Sequence, residues 1–312
     1  MQTSSFHVAE AAGRIAPGEE RLMRFATYAA VAVACLLIVA KFAAYLLTGS
    51  VSMLSTLIDS LLDAAASLVN LVAVRHALMP ADREHRFGHG KAEALAGLGQ
   101  STFIAGSAVF LLVQAGDRLY HPHPIENGAI GMVVMVLSMV LTAMLVAFQR
   151  FVIRRTRSIA ITADSLHYAG DVAVNLAVLV AFLLSAQLGW HIADPLFALA
   201  IGCYIVFTAW QIARSAYDML MDRELPDADR ERIKLIARAH PKVRDLHDLR
   251  TRTSGRNSFI QFHLEMDGRM TLTEAHKLAD EVEAAILREF PGAEVIIHED
   301  PEGVAETRAR FG

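Results

Sequence analysis

Two stretches decide the reading of this chain: Ser52–Leu78, SMLSTLIDSLLDAAASLVNLVAVRHAL, and Ser158–Leu188, SIAITADSLHYAGDVAVNLAVLVAFLLSAQL. Each is long enough to cross a bilayer as a helix, which takes about 20 mostly apolar residues. Yet each carries an ionisable pair, Asp59 with Asp63 and His167 with Asp171. The i, i+4 spacing puts each pair on a single helix face. A charge at bilayer depth costs at least about 2.5–3.5 kcal/mol, so such residues face a partner, an ion or water. Three carboxylates and one imidazole together make a four-donor set for a divalent metal.

The rest of the chain agrees with a membrane setting. It has 312 residues, of which 54% are hydrophobic, and its mean hydropathy is +0.36. That is too apolar for an ordinary soluble domain. A net charge of −4 argues against nucleic acid as the main partner. Cys35 and Cys203 both fall inside apolar runs, so no disulfide framework or thiolate site is expected. The polar start, Met1–Arg24, lacks the apolar core of a cleaved signal peptide.

Six spans are expected: Ala26–Leu47, Ser52–Leu78, Leu95–Gly116, Gly128–Phe148, Ser158–Leu188 and Ile192–Ala213. The second and fifth are amphipathic, but their polar faces are narrow and mostly anionic, unlike the cationic faces of helices lying on a membrane surface. Arg14, Arg21 and Arg24, then Arg75, Arg83, Arg86 and Lys91, then Arg150, Arg154, Arg155 and Arg157, and finally Arg214 and Arg223 are read as falling in every second loop. The positive-inside rule then places both termini in the cytoplasm.

From about Asp222 the composition turns soluble. Helical periodicity over Arg230–Ala239 and Thr273–Phe290 and strand patterns at Val243–Thr251, Phe259–Met266 and Glu294–His298 give the order α-β-β-α-β. This predicts a small α+β domain, a three-stranded sheet with two helices, with Thr271 and Glu274 as a capping box. The expected organisation is an N-terminal segment 1–25, a transport domain 26–222, a metal-binding domain 223–301 and a flexible tail 302–312.

With a rise of about 1.5 Å per residue and a core of roughly 30 Å, Asp63 and His167 both lie about 14 Å from the cytoplasmic edge, and Asp59 and Asp171 about 20 Å. The pairs therefore meet near the midplane. Asn70 and Asn175 read as hydrogen-bonding partners between helices; Asp164 reads equally as such a partner or as part of a polar route. One imidazole with three carboxylates suits Zn²⁺, with Cd²⁺, Fe²⁺ or Co²⁺ also accommodated. The same donors take up protons, so metal and H⁺ compete for one site, the chemical core of an antiporter. Asp82, His85 and His89 share one loop at metal-ligand spacing. His247, His263, His276, His298 and Asp300 are spread over the soluble domain, where the fold has to gather them into a two-metal site.

These residues carry a resemblance. Asp59-x3-Asp63, the loop from Pro80 to Glu93, His167-x3-Asp171, Asp248-Leu249-Arg250-Thr251-Arg252 and Val295 to Pro301 resemble the cation diffusion facilitator family, in its bacterial zinc and ferrous-iron efflux branch. The resemblance implies a homodimer in a bacterial inner membrane. It implies six spans with a metallochaperone-like cytoplasmic domain, and export of metal in exchange for protons, not an enzymatic reaction. It assigns Asp59, Asp63, His167 and Asp171 to a transport site and Asp82, His85 and His89 to a loop site. His247, His263, His276, His298 and Asp300 fall to a binuclear cytoplasmic site, and Lys91 with Asp222 to a salt bridge bracing the dimer. Glu299 departs from the Gln that this branch carries there. Two other classes remain at this point: a membrane-tethered metal sensor, and an intramembrane metal hydrolase, which would need a general base such as the Glu of the absent H-E-x-x-H motif.

Overall fold

The structure is a computed structural model describing residues 17–49, 51–120, 129–188 and 193–304. Most of the expected N-terminal segment (1–16), most of the tail (305–312), and the expected span starts at Gly128 and Ile192 lie outside the described residues.

Among the described residues, six long helices come first: α1 (Pro17–Thr48), α2 (Val51–Ala77), α3 (Lys91–Tyr120), α4 (Ala129–Thr156), α5 (Ile159–Leu188) and α6 (Ala193–Leu220). They are followed by α7 (Asp227–Arg238), β1 (Val243–Ser254), β2 (Asn257–Met266), α8 (Leu272–Glu289) and β3 (Glu294–Pro301). The chain divides into two compact units, Gly18–Tyr217 and the residues from Asp218 onward.

In the helical unit, five helices are long and apolar enough to cross a membrane among the described residues: Gly18–Thr48, Met53–Ala77, Lys91–Asp117, Ile130–Thr156 and Leu196–Leu220. The sixth expected span, α5, is a helix of 30 residues but does not reach that standard over its described part. It carries Asp164, His167, Asp171 and Asn175 in successive turns, and its side chains beyond residue 180 lie outside the described residues. Large apolar side chains such as Val39, Val69, Phe110, Met144 and Trp210 point outward from the unit, as lipid-facing residues do.

Helix α5 is the hub of this unit, packing against α2, α3 and α4. Gly97 is what lets α3 approach it: a Cβ there would lie 2.7 Å from Ile159 Cγ2. One turn below His167, the buried Asp164 accepts from Gln149 Nε2 (2.6 Å), Gln100 Nε2 (3.3 Å) and Ser67 Oγ (3.3 Å). Those donors stand on α4, α3 and α2, so one carboxylate ties four helices together. Asp164 thus takes the structural of its two readings, and Ser67 in turn pairs with Tyr168 Oη at 2.8 Å. Asn70 is also buried, with its Oδ1 unpartnered.

The soluble unit has the expected element order, with strands in the order β1-β2-β3, the first pair antiparallel and the second parallel. The strands outrun the sequence estimate at several ends: β1 continues to Ser254, β2 starts at Asn257 and β3 reaches Pro301. Ile260, Phe262, Leu264 and Met266 alternate along β2 and bury one face against Ile233 and Ala237 of α7 and Leu278, Val282 and Ile286 of α8. The alternate residues His263 and Glu265 therefore project from the opposite face. At the start of α8, Thr271 and Glu274 form the capping box, Glu274 N–H donating to Thr271 Oγ1 at 3.3 Å and Thr271 N–H to Glu274 Oε2 at 2.9 Å.

Candidate metal centres

The helical unit brings Asp63, His167 and Asp171 together, their donor atoms all within 4.8 Å of one another. His167 Nε2 lies 2.9 Å from Asp63 Oδ1 across the α2–α5 contact and 3.9 Å from Asp171 Oδ2 along its own helix. His167 is buried, with its ring held between Phe103, 5.7 Å away edge-on, and Tyr168 at 5.5 Å. Asp59, the fourth residue expected here, lies one turn along α2, is exposed, and does not join the group.

A cation that received no role from the sequence stands beside this site. Lys41 Nζ on α1 donates to Ser60 Oγ at 2.6 Å and to the carbonyl of Thr56 at 3.2 Å. Ser60 lies between the two α2 aspartates in sequence, so Lys41 reaches the turn of α2 that carries them. The signal was there to read, because a lysine deep inside an apolar run is as costly as an aspartate.

The second cluster is the loop joining α2 to α3. Asp82, His85 and His89 form a second group with donors within 4.8 Å. Asp82 closes an Asx turn: His85 N–H and Glu84 N–H both donate to its Oδ1, at 2.6 and 2.9 Å. These bonds, the one from His85 first, hold its carboxyl below the usual carboxylate range. His85 Nδ1 and His89 Nε2 each lie 3.4 Å from the Asp82 carboxylate. Gly88, at φ +78°, supplies the left-handed turn that brings His89 back under the loop.

The third cluster follows from strand register. His247 pairs with His263 across β1–β2, and His263 with His298 across β2–β3, so three imidazoles stand in one row. Asp300 is two residues beyond His298 and so on the same face. Its carboxylate, 5% exposed, lies 2.7 Å from His263 Nδ1, 3.1 Å from His298 Nε2 and 3.4 Å from His247 Nε2. His247, His263 and Asp300 have donors within 4.8 Å of one another. Both ring nitrogens of His247 are buried without a well-aligned hydrogen bond, and carboxylate oxygens of Glu265 and Asp300 lie 3.1 and 3.4 Å from them. Glu265, not anticipated from the sequence, lies opposite Asp300 in the β2–β3 register and comes within 3.1 Å of His247 Nδ1. His276 stands apart on α8, 71% exposed, 3.9 Å from Glu299 and 3.8 Å from Asp280.

Lys91 opens α3 in the helical unit, whereas Asp222 belongs to the other unit and lies 3.5 Å from Arg252 there.

Apolar helices enclosing a metal-donor set, joined to an α+β unit built round a histidine row, define a metal-handling membrane protein. Sequence comparison is consistent with this class. Residues 27–221 match the family described as "Cation efflux transmembrane domain", and residues 225–302 match "Cation efflux protein, cytoplasmic domain". The chain belongs to the cation efflux family, the cation diffusion facilitators, and within it to the FieF type. It is 52% identical over 284 residues to the cation-efflux pump FieF of Klebsiella pneumoniae, covering 91% of this chain and 94% of that one. Against the cation-efflux pump FieF of Salmonella paratyphi A the identity is 51% over 290 residues, covering 93% and 96%. Among solved structures, the metal-bound C-terminal domain of the CzcD transporter from Thermotoga maritima is 30% identical, covering 25% of this chain and 93% of that one, at a TM-score of 0.25.

Proposed function

We propose that this cation efflux protein exports a divalent transition metal, zinc first and Cd²⁺ or Fe²⁺ as alternatives, from the cytoplasm in exchange for protons. The observation that carries the proposal is the Asp63–His167–Asp171 group, two carboxylates and an imidazole converging from α2 and α5 inside apolar helices. Asp59, one turn along α2, is the donor that completes the set. The similar pumps are named for cation efflux, which supports the direction of transport.

Coupling follows from the donors. Each must shed its proton to bind metal, so metal and protons compete for the same donors. Protons arriving from outside displace the ion there, and metal reloads the site from the cytoplasmic side. Movement of α2 against α5 opens the site alternately to the two faces. The loop and cytoplasmic clusters hold resident ions, the second as a binuclear site with His276 as its outlying member. Two copies form a homodimer through the cytoplasmic domains, braced by Lys91 and Asp222. The protein lies in a bacterial inner membrane with both termini in the cytoplasm, as the arginine-rich alternate loops support.

The test is Zn²⁺ flux into proteoliposomes across an imposed pH gradient. Wild type is expected to transport and to respond to pH between about 5.5 and 7.5, the range of imidazole titration. Asp63→Ala and His167→Ala are each expected to abolish flux. Near-normal flux in both variants overturns the site, and pH-indifferent flux in wild type overturns the coupling. Metal binding without any flux would return the protein to the sensor class.

A further inference from the structure

Beside the α2–α3 loop cluster stands a further histidine to which neither the sequence spacing nor the family resemblance assigns a role. His76 lies in the last turn of α2, six residues before Asp82. Its ring meets that of His89 edge-on with centroids 4.6 Å apart, and His85 meets His89 at the same 4.6 Å from another direction. With Zn–N bonds near 2.0–2.1 Å, the centroids of two imidazoles on one tetrahedral ion stand roughly 5 Å apart. His76 and His85 thus each stand at about co-ligand spacing from His89, with His76 exposed and outside the three-residue group whose donors lie within 4.8 Å.

His89 is the centre of this arrangement. Its side chain is 3% exposed, and its Nδ1 is buried without a hydrogen-bond partner. A buried ring nitrogen without a partner points to an absent proton donor or an ion.

We propose that His76 is the fourth ligand of the loop metal site, which is a closed, four-coordinate zinc site of Asp82, His85, His89 and His76. Three protein donors leave an open position, the mark of a site that exchanges a ligand. Four donors make a structural site. The inference rests on the reading of Asp82, His85 and His89 as a metal site and adds its coordination and its mechanical role. His76 and Asp63 share α2, about 20 Å apart along its axis at 1.5 Å per residue. His89 precedes the first residue of α3 by two positions. An ion held by both histidines fastens the end of the helix that carries Asp63 to the start of the next helix. That ion is a brace on a moving element, not a stop on the transport path.

The experiment titrates Zn²⁺ into the full-length protein in detergent by calorimetry and uses Co²⁺ as a spectroscopic probe. It compares wild type with His76→Phe, which keeps the ring packing and removes the donor, and His76→Cys, which supplies a new one. Asp82→Asn and His89→Gln mark the loop step, and His167→Ala marks the transport step. His76→Phe is expected to weaken the loop step tenfold or more, since even groups behind the ligands change affinity 10–100-fold. It should also reduce the visible absorption of four-coordinate Co²⁺ while leaving the transport step intact, which shows that the variant is folded. His76→Cys should restore the step. If His76→Phe leaves the loop step and the cobalt spectrum unchanged while Asp82→Asn and His89→Gln abolish the step, His76 only packs and the inference is wrong. If none of the three alters it, the reading of the loop as a metal site falls, and the inference falls with it.

Discussion

His247 on β1 and His263 on β2 stack with ring centroids 5.0 Å apart because the antiparallel register makes them direct cross-strand partners. The row continues to His298 at 4.5 Å from His263, and the buried Asp300 faces all three rings. This cluster is thus built on strands, whose positions are held by backbone hydrogen bonds, whereas His276 stands apart on α8.

That difference is testable. His263→Ala and Asp300→Asn should each weaken metal binding by the cytoplasmic domain tenfold or more, whereas His276→Ala should cost less. Zinc titration of the three variants in the full-length protein checks the ranking. Equal losses would mean that α8 closes over the site when metal binds.

Lys41 is predicted to set the charge of the proposed transport site. If Asp59 joins Asp63 and Asp171 when a divalent ion binds beside a neutral imidazole, one surplus negative charge is left, which the Lys41 ammonium would offset. Lys41→Met should bind Zn²⁺ more tightly by about tenfold, the order of one screened charge pair. It should also release more protons per metal bound and turn over more slowly. Lys41→Arg should behave as wild type. Proton release measured in weakly buffered protein is the discriminating signal, because loss of packing alone leaves the proton count unchanged.

Asp164 is predicted to hold the helices and not to carry metal. Asp164→Ala strands the buried amides of Gln149 and Gln100 and should destabilise the protein by about 1–3 kcal/mol. Thermal unfolding in detergent should register this, while the zinc affinity of surviving protein stays close to that of wild type. A selective loss of affinity with unchanged stability would place Asp164 on the ion route instead.

Thr271→Ala should destabilise α8 by about 1 kcal/mol through loss of the cap. The pH dependence has a definite sign. The backbone N–H of Thr271, followed by its hydroxyl, holds the Glu274 carboxyl below its ordinary value. Its contribution is therefore complete above the unfolded value near 4.5 and disappears as the pH falls through the lower folded value. The protection factors of the Glu274 and Ala275 amides, exchange rates taken relative to the intrinsic rate at each pH, should fall in that acid window in wild type and already be low at neutral pH in Thr271→Ala.

Local periodicity alone determined most of the architecture. The apolar runs, the i, i+4 pairing of Asp59 with Asp63 and of His167 with Asp171, the α-β-β-α-β order and the capping box all depend on residues within a few positions of each other. A helix or strand assigns their faces before any packing occurs. The tertiary structure decided which of those faces meet. His167 and Asp63 are 104 residues apart and lie 2.9 Å from each other; Asp59, on the same helix face by its spacing, stays outside the group. Glu265 approaches His247 only through the register of the strands, and His276 stands off from the other residues of the set the resemblance assigned it to. Distances between elements come from how helices seat on one another and which register the strands adopt. Those choices are made by the summed packing of many distant side chains, so no local pattern encodes them.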